Sequence, residues 1–263
     1  MPHVDKHAPG SFNWLELATT NQAAAKQFYP ALLGWQAQDV PMGPNGAYTI
    51  FLLDGRPAAA CFTIGANEQQ VPPYWGLYIA TEDADQTSAR ATELGATLIH
   101  APMDVSTFGR MAVIKDPTGA IFSVWQAKTH PGIGITGENG TLCWADLNTP
   151  HRERAKKFYE QLFGWEFDLG KDQSGNAKPA DSYLHIKNAG VHIGGIPPES
   201  FRNKGAPPHW LVYFQVADCE ASTAKAQGLG ARVYMPPASI NENLRLSVLA
   251  DPQGAVFALF AGQ

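Results

Sequence analysis

Two short segments of this 263-residue chain place a carboxylate two residues after a tryptophan: FNWLELA, holding Trp14 and Glu16, and LCWADLN, holding Trp144 and Asp146. Each alternates in character and reads as a β-strand, on which residues two apart share a face. A carboxyl group beside an indole in a partly dry cavity has its pKa raised, which tunes a general acid or base. Glu16 and Asp146 are therefore the candidate acid–base residues. Arg110 and Arg245 occupy corresponding positions of two similar segments, where they could pair with those carboxylates or clamp a ligand carboxylate. Ser123 has no histidine nearby in sequence to activate it, and no GxGxxG, GxxxxGK[ST] or HExxH motif occurs. His185, His192 and His209 fall on predicted strands beside Asp146. Three imidazoles and a carboxylate would suit zinc or iron, whereas isolated strand histidines are commonly hydrogen-bonded structural groups.

The elements that position these residues repeat. Residues 10–35 match residues 140–165 at 11 of 26 positions, and residues 72–125 match 207–260 at 18 of 54. The offset changes from 130 to 135 in the loop between, where Tyr48 pairs with Tyr183. The chain is two copies of one domain, 8–127 and 140–262. Residues 128–139, rich in Gly and with one Pro, form the linker. In the first copy Phe12–Ala18 reads as a strand, followed by a helix capped by Thr20, with an apolar stripe through Phe28, Tyr29, Leu32 and Leu33 and a stop at Gly34. Further β-like runs cover 48–53 and 58–64. A second unit opens at Tyr74, has its helix over Asp83–Leu94, and ends in strands over 111–115 and 120–126 joined by DPTG. Each copy is thus a pair of βαβββ units, an α+β fold.

Composition narrows the function classes. Charged residues make up 16% of the chain against about 25% in typical soluble domains, yet there are seven tryptophans. The net charge of −5, with no Lys/Arg cluster, argues against nucleic acid. No apolar run reaches the ~18 residues of a membrane span. The start has no apolar core of a secretion signal, and the three cysteines form no CxxC pair. A reducing compartment, the cytoplasm, is expected.

Paired βαβββ units, helices ending in FYPALLGW and FYEQLFGW, and last strands following DPTGAIF and DPQGAVF closely resemble the vicinal oxygen chelate superfamily. That superfamily includes glyoxalase I, extradiol dioxygenases and bleomycin-resistance-type binding proteins. The resemblance implies that each copy curls its strands into a cup with helices outside. It also implies a divalent metal in the cup, held by His, Gln or Glu. The corresponding positions here are Trp14 and Trp144, the neighbourhood of Gly76 and Leu211, and Ser123 and Ala258. These are poor ligands or none. No cofactor is therefore expected, with a divalent metal at the His185, His192 and His209 cluster as the alternative.

Alternation then assigns Phe12, Trp14, Glu16, Tyr78, Ser123 and Trp125 to the first cup, and Leu142, Trp144, Asp146, His209, Tyr213 and Phe260 to the second. With Tyr48, Arg110 and Arg245 they make an aromatic site suited to a small organic molecule. Simple space-filling by the aromatic rings is the competing account. Trp35, Trp165, Trp75 and Trp210 fall on the helix side as core. The expected protein is a monomer or homodimer that binds a small, aromatic molecule. The alternatives are a lyase, isomerase or dioxygenase-like enzyme, or a scaffold with filled cups.

Overall fold

The computed structural model describes residues 3–42, 46–65, 70–170, 179–240 and 243–262. The first repeat runs β1 (Phe12–Thr19), α1 (Gln22–Leu33), β2 (Gln36–Pro41), β3 (Ala47–Leu53), β4 (Arg56–Thr63), β5 (Tyr74–Ala80), α2 (Ala84–Glu93), β6 (Thr97–Val105), β7 (Gly109–Lys115) and β8 (Ile121–Ala127). The second runs β9 (Leu142–Asn148), α3 (Arg152–Phe163), β10 (Glu166–Asp168), β11 (Leu184–Asn188), β12 (Val191–Ile196), β13 (His209–Gln215), α4 (Cys219–Gly228), β14 (Arg232–Ser239), β15 (Arg245–Ala250) and β16 (Val256–Ala261). Each repeat makes one eight-stranded sheet, ordered β2-β3-β4-β1-β5-β8-β7-β6 and β10-β11-β12-β9-β13-β16-β15-β14. Within each βαβββ unit the first strand lies parallel to the last, and the two units join through antiparallel first strands, β1 to β5 and β9 to β13. The fold is α+β, two tandem domains of paired βαβββ units.

Local chemistry sets the helix ends. Asp83 and Asp218 cap α2 and α4 by accepting from Gln86 N and Ala221 N, at 2.9 and 2.8 Å. The cap of α1 is Asn21, not Thr20: its Oδ1 accepts from Ala24 N at 3.0 Å, and an Asn one residue later reaches the third amide that Thr20 would miss. Gly34 and Gly164 end α1 and α3 in the left-handed region.

A β-bulge revises the expected strand faces. Between β1 and β5 the register slips at Asn13, and between β9 and β13 it slips at Cys143. One extra residue reverses the alternation on its far side. Phe12 therefore leaves the cup and packs edge-on against Trp165 and Trp210, with centroids at 5.8 and 5.6 Å. Leu142 likewise joins the main core, while Cys143 packs with the residues of the second cup.

The repeats meet through their helix-bearing faces. Tyr29 of α1 donates its hydroxyl to Asp251 Oδ2 at 3.0 Å, and Tyr159 of α3 donates to Asp116 Oδ2 at 2.9 Å. Trp75 and Trp210 donate to those same tyrosine oxygens. Trp35 Nε1 donates to Gly140 O and Trp165 Nε1 to Gly10 O, so each repeat binds the entry of the other. One core cluster spans both repeats. No helix among the described residues is long and apolar enough to cross a membrane.

The segment expected as a linker is built into the first repeat. Residues 132–135 are buried, with Ile133 N donating to Asn13 O and Gly134 N to Pro57 O, both at 2.8 Å. This strap lays His130 edge-on against Trp14, with centroids at 4.5 Å, and Trp125 donates to the His130 carbonyl.

Tyr29→Phe is expected to leave both Asp251 Oδ2 and Trp75 Nε1 without a partner and to cost about 1–3 kcal/mol. Tyr159→Phe should match it. Gly140 sits at φ +89°, and a Cβ there would stand 2.5 Å from Leu33 O, so Gly140→Ala should cost at least as much. Urea unfolding measures all three. A change below about 0.5 kcal/mol in both tyrosine variants would remove the inter-repeat pin from the account.

Candidate functional site

Each sheet carries a carboxylate on the face opposite its helices, partly buried for Glu16 and buried for Asp146, gripped among the described residues by neutral donors. In the first repeat, Tyr48 donates to Glu16 Oε1 at 2.5 Å and Tyr78 to Oε2 at 2.6 Å, while Trp14 Nε1 donates to the Tyr48 oxygen at 3.0 Å. In the second, Tyr183 donates to Asp146 Oδ1 and Tyr213 to Oδ2 at 2.7 Å. Trp144 Nε1 lies 3.1 Å from Asp146 Oδ1 and 2.6 Å from the Tyr183 oxygen, dividing its proton between them. Strand pairing explains the convergence. Trp14 stands opposite Tyr78 and Tyr78 opposite Ser123; Trp144 stands opposite Tyr213 and Tyr213 opposite Ala258. The middle residues of these rows are thus Tyr78 and Tyr213, rather than the expected Gly76 and Leu211. Tyr183 reaches Asp146 across β12 because Gly195 has no side chain, and a Cβ there would lie 2.2 Å from the phenol oxygen.

Burial dominates the electrostatics. It raises the pKa of Glu16, and that of Asp146 to about 6, against the opposing pull of the tyrosine hydrogen bonds. The phenols of Tyr48, Tyr78, Tyr183 and Tyr213 are pushed well above their ordinary value by burial and by the adjacent carboxylate, so they stay protonated as donors. Cys143 borders the second cup, but burial pushes its thiol up to about 12, which removes it as a nucleophile at neutral pH.

The arginines do not join these sites. Arg110 shares a strand face with buried Ala112 and Ile114, toward the helices. There it forks onto Asp85 in the first turn of α2, at 2.7 and 2.9 Å. Arg245 pairs through Nη2 with Glu220 of α4 and donates from Nη1 to Ser239 at 3.1 Å. Expected as ligand clamps, they instead tie helix to sheet. Of the three histidines, only two come together. His185 lies beside Tyr183 and His192, with ring centroids at 5.0 and 5.2 Å, and His192 Nε2 is 3.6 Å from Asp168. His209 stands on β13, beyond Leu211, with Nδ1 engaged by the Pro207 carbonyl. Among the described residues no group of three or more His, Cys, Asp or Glu is placed to hold a metal ion.

Residues 11–124 match the model of the Glyoxalase/Bleomycin resistance protein/Dioxygenase superfamily, and residues 144–260 match that of the Glyoxalase-like domain. The Mycobacterium tuberculosis protein CFP32, whose name assigns it provisionally as a glyoxylase, is 38% identical over 98% of this chain and 97% of its own length. The chain belongs to the glyoxalase superfamily. The anthracycline biosynthesis protein DnrV of Streptomyces peucetius is 34% identical over 97% of this chain and 94% of its own. A Mn(II)-bound glyoxalase from Novosphingobium aromaticivorans shares the fold with a TM-score of 0.66 at 14% identity, covering 96% of this chain and 82% of that one.

Within this superfamily fold the two cups differ in access. Trp14 is 4% exposed beneath His130, whereas Trp144 is partly exposed and no described ring stacks on it. Leu211, Tyr213 and Ala258 form a cluster separate from the main core, bordered by partly buried Trp144, Leu246, Val248 and Phe260. Two participants are absent from the candidate residues of the sequence. Tyr183 was signalled by its match to Tyr48, and His130 had no signal beyond its place in a glycine-rich segment.

Asp146 holds its proton more tightly in the folded chain than an ordinary aspartate does. Its contribution to stability is therefore present below about pH 4 and lost as pH rises through about 6. Asp146→Asn has no such titration. Relative to wild type, its unfolding free energy should rise by about 2–3 kcal/mol between pH 4 and pH 7. Denaturant unfolding at closely spaced pH values checks this, and a flat difference across the window contradicts it.

Proposed function

We propose that the protein binds a small, planar, aromatic molecule in the cup of its second repeat, without the superfamily's standard divalent metal. The observation that carries this reading is the half-open aromatic cluster around Trp144 and Tyr213, with Asp146 set among neutral donors at its base. The ring faces supply apolar contact, and the carboxylate orients a ligand hydroxyl or N–H. Trp144, Tyr213 and Ala258 across three neighbouring strands offer an indole, a protonated phenol and a methyl group. That set does not fit a divalent ion, which requires deprotonated or lone-pair donors. Trp14, Tyr78 and Ser123 fit no better. DnrV is named for the biosynthesis of anthracyclines, whose chromophores are planar and aromatic, and a ligand of that shape suits this cup. A second reading, acid–base catalysis by Asp146 on the bound molecule, is favoured by its pKa of about 6, close to working pH.

Titration with planar phenols and quinones, followed by tryptophan quenching, tests the reading. Saturable quenching is expected, weakened by about tenfold or more in Trp144→Ala, a loss ordinary for an aromatic anchor. Trp14→Ala should retain the affinity. No saturable quenching, or dependence on Trp14 in place of Trp144, overturns the assignment.

A further inference from the structure

The second sheet carries a row of ring side chains that continues outward from Trp144. Trp144 Nε1 lies 2.6 Å from the Tyr183 oxygen. The Tyr183 and His185 ring centroids are 5.0 Å apart, and those of His185 and His192 are 5.2 Å apart. His185 alternates with Leu184 and Ile186, which are buried in the main core, so it stands on the face away from the helices, as Tyr183 does. The strand order β11-β12-β9 puts two strand spacings, about 10 Å, between the strand of Trp144 and that of His185. Trp144, Tyr183 and His185 are partly exposed and His192 is exposed, so every ring of the row has surface open to a ligand.

The charged groups beside this row set its polarity. Lys187 pairs with Asp168 at 2.7 Å, and His192 Nε2 lies 3.6 Å from the same oxygen. Glu166 stands opposite Lys187 on the edge strand and is exposed. Lys187 set against Asp168 and Glu166 leaves no surplus positive charge to draw an anion. The imidazoles instead offer a neutral molecule flat ring surface with polar edges. The row belongs to the second repeat alone. Its counterparts in the first repeat are Ile50 and Pro57, where the strap closes over the wall and Gly134 N donates to Pro57 O at 2.8 Å. Imidazoles thus replace apolar residues where the wall is left open. A single aromatic ring seated on Trp144 falls short of His185, whereas a fused-ring system reaches both.

We infer that the second cup selects neutral, planar, fused-ring molecules over single-ring ones, with one end of the ring system on Trp144 and the other on His185 and His192; this rests on that cup being an aromatic-binding site. 2-Hydroxy-9-fluorenone and 3-hydroxyacetophenone are matched probes, because the second reproduces one ring of the first with its hydroxyl and carbonyl. Titrations of the full chain are followed by tryptophan quenching and by the histidine-ring ¹H–¹⁵N resonances, assigned from His185→Ala and His192→Ala. 2-Hydroxy-9-fluorenone is expected to bind more tightly and to shift the His185 and His192 resonances saturably, while 3-hydroxyacetophenone leaves them in place. Either histidine variant should weaken 2-hydroxy-9-fluorenone by about fivefold, the value of an aromatic ring contact, and narrow its advantage over the one-ring probe. His192 is exposed, so His192→Ala carries the test even where His185→Ala fails to fold. Quenching by both probes that is lost in Trp144→Ala, with unmoved histidine resonances or with the full advantage kept in His192→Ala, overturns the length selection and leaves the aromatic cup standing. Absence of any Trp144-dependent binding by either probe removes both.

Discussion

The reciprocal bond between the helix tyrosine of one repeat and the turn aspartate of the other is the constraint on which the molecule is assembled. Asp116 Oδ1 accepts from the amides of Thr118, Gly119 and Ala120, so it shapes its own DPTG turn. Its other oxygen takes the hydroxyl of Tyr159. Asp251 organises DPQG in the same way and takes Tyr29. Each carboxylate is thus divided between folding its own repeat and recognising the other. Because the donors are buried, misalignment of the repeats would strand a tyrosine, an aspartate and a tryptophan together, a cost that selects one docking geometry. The helices are consumed by this interface, and the opposite sheet faces are left for ligands.

The two faces then diverge because one chain must connect them. The connection from β8 to β9 turns back along β1, filling the gap between Asn13 and Pro57 and laying His130 on Trp14. That packing buries the first indole. Trp144 has no such cover among the described residues. A duplicated sequence has therefore produced one strapped cup and one half-open cup from nearly the same aromatic set.

Much of this was legible in the residues, for definable reasons. The repeat, the βαβββ order, the helix glycines and the shared face of Trp14 with Glu16 all follow from patterns of burial or backbone strain. The edge strands β2 and β6 were not legible, because both of their faces are largely exposed and selection leaves no apolar rhythm. The bulges at Asn13 and Cys143 were hidden too, since one inserted residue leaves composition unchanged while reversing every face beyond it, which misplaced Phe12 and Leu142. Arg110 was misplaced for a different reason. It shares parity with Ala112 and Ile114, so the alternation already directed it toward α2 and Asp85. The matched recurrence of Arg245 and Glu220 reports a structural ion pair written twice, not a ligand clamp written twice.

The same distinction bears on the paired carboxylates. Glu16 and Asp146 differ by one methylene, and the surroundings compensate: Trp14 reaches only Tyr48, whereas Trp144 reaches both Tyr183 and Asp146. Conserving a buried charge across both repeats by different means would be costly for space-filling alone, since an amide or an apolar group would fill the volume without desolvating an ion. A carboxylate surrounded by phenols also sets the sign of the cup. With no cation beside it, it disfavours anionic ligands and favours neutral molecules with a proton to share, which is the ligand character proposed for the second repeat. A divalent cation in such a cup would set the opposite polarity, attracting the oxyanions that an unpaired carboxylate repels.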